Sequence, residues 1–158
     1  MNNRQKDRIR LVIRIVMVVV AVALLIGGLG VPIANNAVAL GIQRDLEALP
    51  LPPDTTVEEA VSGAGKLSGN GNGMQYFGAV LLHSTLSLEQ LNTYYVQHRR
   101  GLFDCLVAVQ EGSEIQVADN GNLSFSTAME GEGWYILYTW GDAPKGLRAW
   151  LDTDMRGH

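Results

Sequence analysis

The side chains that most often do chemistry are sparse in this 158-residue sequence. Its three histidines are His83, His98 and His158, and no pair has the four-residue spacing that brings two imidazoles to one face of a helix. Its single cysteine, Cys105, lies in an apolar run, where a thiol is buried rather than activated. The sequence has no Gly-x-Ser-x-Gly pattern for a hydrolase serine. We therefore predict no catalytic residue, no cofactor site and no metal site.

The stretch from Asp152 to Gly157 comes nearest to a metal-binding motif. It has acids at its first and third positions and glycine at its sixth, as calcium loops do. Arg156 stands at the fifth position, where it puts a positive charge in place of a ligand oxygen. We expect a solvated, salt-bridged terminus instead of a calcium site.

Aromatic side chains supply a candidate for binding. The run from Trp134 to Trp140 alternates in such a way that a strand would place Trp134, Tyr138 and Trp140 on one face. Large apolar side chains exposed together are typical of surfaces that bind another molecule. We predict that these three residues dock a partner, and that the partner is another envelope protein.

An apolar stretch determines where these residues are displayed. Ile15 to Ile33 is nineteen residues long and carries no charge, and a helix of that length spans roughly the 30 Å hydrocarbon core of a bilayer. Five basic residues and one acid precede it, and positive charges beside a first apolar segment stay on the cytoplasmic side. The sequence predicts a cytoplasmic basic tail over residues 1–14, a single transmembrane helix over 15–33, and a domain outside the cell membrane.

Two interpretations of the apolar stretch differ in what happens to it after export. Ala37-Val38-Ala39 fits the pattern at which signal peptides are cleaved, and cleavage would fall after Ala39. Alternatively the segment is an uncleaved anchor, because apolar residues recur at helical spacing past that point. This second pattern predicts an amphipathic juxtamembrane helix at the membrane surface and a Pro-rich linker over residues 34–53. We favour the uncleaved anchor.

Residues 54–158 are predicted to form one exported domain of the α+β class. The Ser87 and Gln90 pair matches a capping box, which predicts a helix from Leu88 to a glycine cap at Gly101. We expect a two-layer domain, with a mainly antiparallel sheet of five or six strands packed on one helix. The predicted strands cover Thr55–Leu67, Tyr76–Ser84, Leu102–Gln110, Ile115–Ala118, Leu123–Thr127 and Trp134–Trp140.

The charge balance limits the class of partner. The net charge is −4, and from Ile15 onward the chain has 7 basic and 15 acidic residues. A nucleic-acid partner would need a basic patch, which this composition argues against. The predicted partners are the lipid bilayer and another envelope protein.

The run from Gly65 to Leu91, GKLSGNGNGMQYFGAVLLHSTLSLEQL, resembles a stretch of uncharacterised small, membrane-anchored proteins of the bacterial envelope. That resemblance implies a bacterial envelope setting and no particular activity. Our leading hypothesis is a membrane-anchored, extracytoplasmic binding or accessory module that is not an enzyme. Two alternatives stay open: a small envelope hydrolase whose residues converge only in the fold, and a structural subunit recruited to a membrane complex through its transmembrane helix.

Overall fold

The structure is a computed structural model that describes residues 3–98 and 104–158. It begins with a long helix. Helix α1 (Asn3–Leu25) passes through a π-helical turn (Ile26–Gly30) into helix α2 (Val31–Glu47). From Arg4 to Glu47 these elements make one helix of 44 residues, with an apolar part long enough to cross a membrane. Signal sequences and buried core helices can also have this length and composition.

The π-helical turn has a local cause in the sequence. Pro32 has no N–H to donate, and in a regular helix its ring would collide with the carbonyl four residues earlier. In the turn just before it, the Val31 N–H donates instead to the carbonyl of Ile26, five residues back. A single wide turn of this kind lets the helix absorb the irregularity and continue into α2.

The sheet has four antiparallel strands in the order β1-β2-β4-β3. The central strand β2 pairs with both β1 and β4, so that Gly78 lies opposite Ser62 on one side and Thr139 on the other. The strands are β1 (Thr55–Gly65), β2 (Gln75–Ser84), β3 (Leu106–Val109) and β4 (Trp134–Gly141). The predicted α+β class is confirmed at this level.

The prediction of five or six strands is not confirmed, because among the described residues two of the predicted strands do not join the sheet. Gln116–Ala118 forms a 3-10 turn, and the segment after it contributes only an isolated bridge between Glu114 and Ser124. The apolar residues of this region, Ile115 and Phe125, are buried against the sheet face. Their alternation therefore arises from a loop that covers the sheet, and not from strands that extend it.

Helix α2 packs directly on the sheet, where the sequence predicted a stalk at the membrane surface. Ala39 is 1% exposed, and Ile42 and Leu46 are buried with it against β1 and β2. Glycine at position 78 permits this approach, because a Cβ there would lie 2.8 Å from the backbone nitrogen of Gln43. Residues 31–49 thus form a core layer of the domain, continuous with the apolar helix.

Helix α3 (Leu88–Gln97) packs on the same sheet face as α2, so two helices and not one cover it. Its predicted capping box is present: the Ser87 hydroxyl accepts from the Gln90 N–H, and the Gln90 side chain accepts from the Ser87 N–H. The predicted cap at Gly101 and the predicted strand start at Leu102 lie outside the described residues.

The opposite sheet face is covered by the loop between β3 and β4. One carboxylate fastens it: Glu59 of β1 accepts hydrogen bonds of 2.8 to 3.0 Å from the backbone and hydroxyl groups of Ser126 and Thr127. Burial raises the pKa of Glu59, but these donors outweigh it and leave the pKa below its ordinary value. The ionised carboxylate of Glu59 therefore holds the loop on the sheet through these hydrogen bonds.

Candidate interaction site

Strand β3 forms one edge of the sheet and exposes apolar side chains there. It pairs with β4 on its inner side, and no described strand pairs with it on its outer side. Val109 is 53% exposed, and Leu106 is also exposed. An edge strand that is both apolar and unpaired is a template for a further strand.

The backbone of β3 presents hydrogen-bonding groups along this edge. In an antiparallel pair, alternate residues direct their N–H and C=O groups toward the neighbouring strand. The Gln110 N–H donates to the Trp134 carbonyl at 3.0 Å. The backbone N–H and C=O groups of Ala108 and Leu106, two and four residues earlier, therefore also point toward β4. Val107 and Val109 have the opposite parity, and their backbone groups point outward from the sheet.

Two clefts flank the end of this strand and share three lining residues, Val109, Gln110 and Glu111. The first has a volume of about 510 Å³ and lies between β3 and the covering loop. The second, of about 380 Å³, lies between β3 and the turn that leads into β4. Both clefts therefore meet at the end of β3, around Val109, beside the edge that a further strand would join.

The rim of the two clefts is acidic. Glu111, Glu114 and Glu132 line them, and Glu130 is exposed in the adjoining turn. Among the described lining residues there is no lysine or arginine. Charge of one sign around a recess favours a ligand of the opposite sign. The edge therefore suits an extended segment that carries basic side chains.

The three aromatic residues predicted to dock a partner are each half-buried and face the loop-covered side of the sheet. Trp134 lines the second cleft and packs against the exposed ring of His83 at 4.6 Å between ring centroids. Trp140 and Tyr138 pack instead against the buried ring of Phe77, at 4.9 and 6.0 Å. Of the three, Trp134 alone therefore lines either of the two clefts at the end of β3.

The histidines and the cysteine lie apart from one another. His98 packs against Tyr94, and its Nδ1 lies 2.8 Å from the Tyr94 carbonyl oxygen. His158 contacts the carbonyl of Asp152, and Cys105 is buried under α3. Within residues 3–98 and 104–158, no three His, Cys, Asp or Glu side chains are grouped as metal ligands.

A buried polar cluster, which sequence reasoning missed, joins α2 to the C-terminal segment. Asn35 is fully buried; its carbonyl oxygen accepts from the Tyr76 hydroxyl at 2.7 Å, and its amide donates to Asp154 Oδ2 at 2.8 Å and to the Leu151 carbonyl at 3.1 Å. Asp154 also forms an ion pair of 2.6 Å with Arg156. We call these four side chains, Asn35, Tyr76, Asp154 and Arg156, the polar clamp.

Arg156 has two roles in the polar clamp. Its guanidinium holds the pKa of Asp154 to about 2, against the opposing effect of burial. It also donates to the Pro32 carbonyl at 3.1 Å and to the side-chain oxygen of Asn36 at 2.9 Å. The predicted salt bridge at the terminus is present, but Asp154 is buried where a solvated acid was expected. The residue that disrupts the calcium pattern is the one that neutralises this acid.

The one sequence signal for the polar clamp is the Asn35-Asn36 pair directly after a long apolar stretch. A buried amide needs partners for both its oxygen and its nitrogen, and here both are supplied from distant parts of the chain. Burial, followed by the nearby Asp152 and Asp154 charges, also raises the pKa of the Tyr76 phenol, which keeps it a donor to Asn35.

Comparison with known proteins adds no assignment: no protein-family model, no curated protein and no solved structure matches the chain. The resemblance carried by residues 65–91 stays a prediction.

Proposed function

We propose that the chain is a single-pass, membrane-anchored binding module of the bacterial envelope, in which the apolar helix that begins at Ile15 spans the membrane and the domain outside it captures an extended segment of another envelope protein at β3. Its N-terminus is cytoplasmic, because the basic flank precedes the apolar helix. The edge strand β3, with its two clefts and acidic rim, is the observation that carries the binding role.

Retention of the anchor is supported by the position of α2 in the domain. Cleavage after Ala39 would remove residues 31–39, more than half of α2, together with Asn35 of the polar clamp. Tyr76 and Asp154 would then lose a buried hydrogen-bond partner, and an unsatisfied buried polar group costs about 1–3 kcal/mol. The domain is complete only when the helix that emerges from the apolar segment stays attached.

The binding mode follows from the geometry of the edge. The outward backbone N–H groups of Val107 and Val109 would donate hydrogen bonds to an added strand, and their carbonyl oxygens would accept hydrogen bonds from it, as happens when a peptide extends a sheet. The part of this strand that passes Val109 would lie beside the two clefts, where its basic residues would face Glu111, Glu114 and Glu132. Exposed charges contribute mainly to encounter rate and specificity, so binding should weaken as salt rises.

Site-specific photocrosslinking in intact cells tests the proposal. A photoreactive amino acid is placed at Val109, and in a matched control at Val96 of α3, which is also 53% exposed. We expect a crosslinked protein at Val109 that is absent at Val96, and mass spectrometry should place the captured peptide in an extended, basic segment. Equal capture at the two positions, or none at Val109, would argue against an edge site.

A proline substitution separates the edge from general folding. Val109→Pro removes an outward N–H and leaves the ladder between β3 and β4 intact, whereas Ala108→Pro removes an N–H that faces β4. We expect Val109→Pro to abolish crosslinking from Leu106, the other exposed apolar residue of the strand, while the domain keeps its thermal stability. Crosslinking that survives Val109→Pro would exclude strand addition as the mode of binding.

A further inference from the structure

The C-terminal segment of the domain lies against the helix at the point where the apolar stretch ends. Arg156 donates to the carbonyl of Pro32, and Asp154 bonds with Asn35 one turn later. Pro32 is only three residues beyond Leu29, the last residue of the run whose side chains are all exposed. At about 1.5 Å per residue this places the contact about 4.5 Å further along the helix axis.

Exposed apolar side chains are concentrated in this segment. Met155 is 82% exposed, Trp150 is 40% exposed, and Leu147 is also exposed. The segment itself is well anchored, because Leu151 and Gly157 are buried in the domain. These apolar side chains are therefore held outward by a fixed backbone, in helix α4 (Arg148–Leu151) and the 3-10 turn Met155–Gly157.

Basic side chains accompany the apolar ones. Lys145 and Arg148 are exposed in the same segment, where Arg148 forms an exposed ion pair of 3.7 Å with Asp152, while the guanidinium of Arg156 belongs to the polar clamp. Residues 142–158 contain three basic and three acidic residues, of which Asp154 is buried and paired, whereas residues 34–141 contain four basic and twelve acidic residues. The strongly acidic part of the domain is thus separate from the segment that contacts the helix exit.

Tryptophan, other apolar side chains and flanking lysine or arginine are the composition of protein surfaces that rest in a membrane interface. Trp presents an apolar ring with a polar N–H, and long basic side chains reach outward to lipid phosphates. The position of the segment beside the helix exit indicates which surface covers it. A bilayer that surrounds residues up to Leu29 comes within a few ångströms of residues in contact with the segment.

We propose that Leu147, Trp150 and Met155 insert into the lipid headgroup region of the outer leaflet, so that the domain is held against the membrane at two points, the helix and the C-terminal segment. This inference rests on the proposed membrane anchor. It goes beyond that proposal because it fixes the orientation of the domain. The C-terminal segment, which bonds to Lys66 at one end of the sheet, lies on the membrane, and Trp134 at the opposite end points away from it.

Tryptophan quenching by lipid measures this contact directly. The full chain is reconstituted in phosphatidylcholine vesicles whose acyl chains carry bromine near the headgroup, and in matched vesicles without bromine. One variant keeps only Trp150 (Trp134→Phe with Trp140→Phe), and its control keeps only Trp134 (Trp140→Phe with Trp150→Phe). We expect Trp150 to lose most of its emission in brominated vesicles and Trp134 to keep it.

A third variant distinguishes the failure of this inference from the failure of the anchor. It carries Leu24→Trp in place of all three native tryptophans, and Leu24 lies within the apolar helix. If this reporter is quenched and Trp150 is not, the anchor stands and the C-terminal contact is refuted. If neither is quenched, both the anchor and the contact are refuted.

A second measurement does not depend on the tryptophan substitutions. A nitroxide is attached through Met155→Cys in the native background, whose own cysteine, Cys105, is buried. The control label is at Val57, an exposed residue at the opposite end of β1. In vesicles the Met155 label should be more accessible to oxygen than to a water-soluble nickel chelate, and the Val57 label should show the reverse. Similar accessibility at the two positions would place a protein partner or water, and not lipid, over the C-terminal segment.

Discussion

Gly78→Ala is the most direct test of how α2 sits on the sheet. A Cβ at position 78 would lie 2.8 Å from the backbone nitrogen of Gln43 and 3.0 Å from both its Cα and Ile42 Cγ2. Ordinary contacts of a Cβ begin at 3.4 Å, so α2 would have to withdraw by about 0.5 Å, a gap that forfeits about a quarter of the dispersion energy of each contact. The helix cannot do so freely, because Leu46 and the polar clamp hold it at both ends.

The expected magnitude combines two opposing effects. Overpacking of a core costs about 1–3 kcal/mol, while alanine in a strand is favoured over glycine by about 0.5–1 kcal/mol. The difference spans about 0–2.5 kcal/mol. Because the nearest atoms are backbone atoms of α2, which cannot move aside, Gly78→Ala should fall in the upper part, about 1–2.5 kcal/mol, which lowers the melting temperature by roughly 2–10 °C. The assay is thermal and urea unfolding of the full chain in detergent, followed by tryptophan fluorescence.

Gly73→Ala is the matched control, because nothing lies within 4 Å of a Cβ at that position. We expect this variant to unfold within about 0.5 kcal/mol of the native protein, as surface substitutions usually do. If Gly78→Ala is as stable as Gly73→Ala, or more stable than the native protein, then α2 does not rest on β2. That result would also remove the structural argument for a retained anchor.

Two further predictions concern buried polar groups. The pKa of Asp154 is about 2 in place of its ordinary 3.8. The ionised side chain therefore stabilises the fold by about 2 kcal/mol at neutral pH. This contribution is fully present above about pH 4 and is lost as the pH falls toward 2. Asp154→Asn should lose it, so the native protein and the variant should converge in urea unfolding between pH 4 and pH 2, and a constant difference across that range would refute the pairing with Arg156. Tyr76→Phe removes the donor to Asn35 and should cost about 1–2 kcal/mol of stability. Tyr95→Phe removes a buried hydroxyl that has no partner among the described residues, and it should be neutral or stabilising. A Tyr95→Phe variant that is less stable than Tyr76→Phe in thermal unfolding would contradict the hydrogen-bond assignment.

Local signals in the sequence predicted local structure well. The capping box at Ser87 and Gln90 is formed as expected, since both groups lie within one helical turn. Alternation and continuous apolar runs also predict the strands found as β1, β2 and β4. These features depend on neighbours a few residues apart, which a sequence shows directly.

The role of α2 was not visible in the same way. Its apolar stripe identified an amphipathic helix, but a stripe looks the same whether it faces lipid or a sheet. The deciding residue is Gly78, 35 positions after Gln43, whose missing side chain admits the helix. The polar clamp likewise joins Asn35 to Asp154 across most of the chain, and no spacing rule connects residues so far apart.

At the candidate site too, the sequence predicts the local features but not those that depend on distant residues. Alternation correctly grouped Trp134, Tyr138 and Trp140 on one sheet face, but it did not indicate that Phe77 and the covering loop half-bury them. The exposed edge at Val109 depends on strand order, which places β3 outermost although it precedes β4 in the chain. Strand order is a property of the whole sheet, so the site could be found only in the fold.

The helix proposed to anchor the chain is also a core helix of its domain, so the helix must stay attached after export. The most direct measurement is the intact mass of the protein extracted from cell membranes. We expect a mass that accounts for all of residues 1–39 apart from processing of the initiating methionine. A mature chain that begins at Leu40 would contradict it, because that chain would lack Asn35 and most of the helix on which the sheet packs.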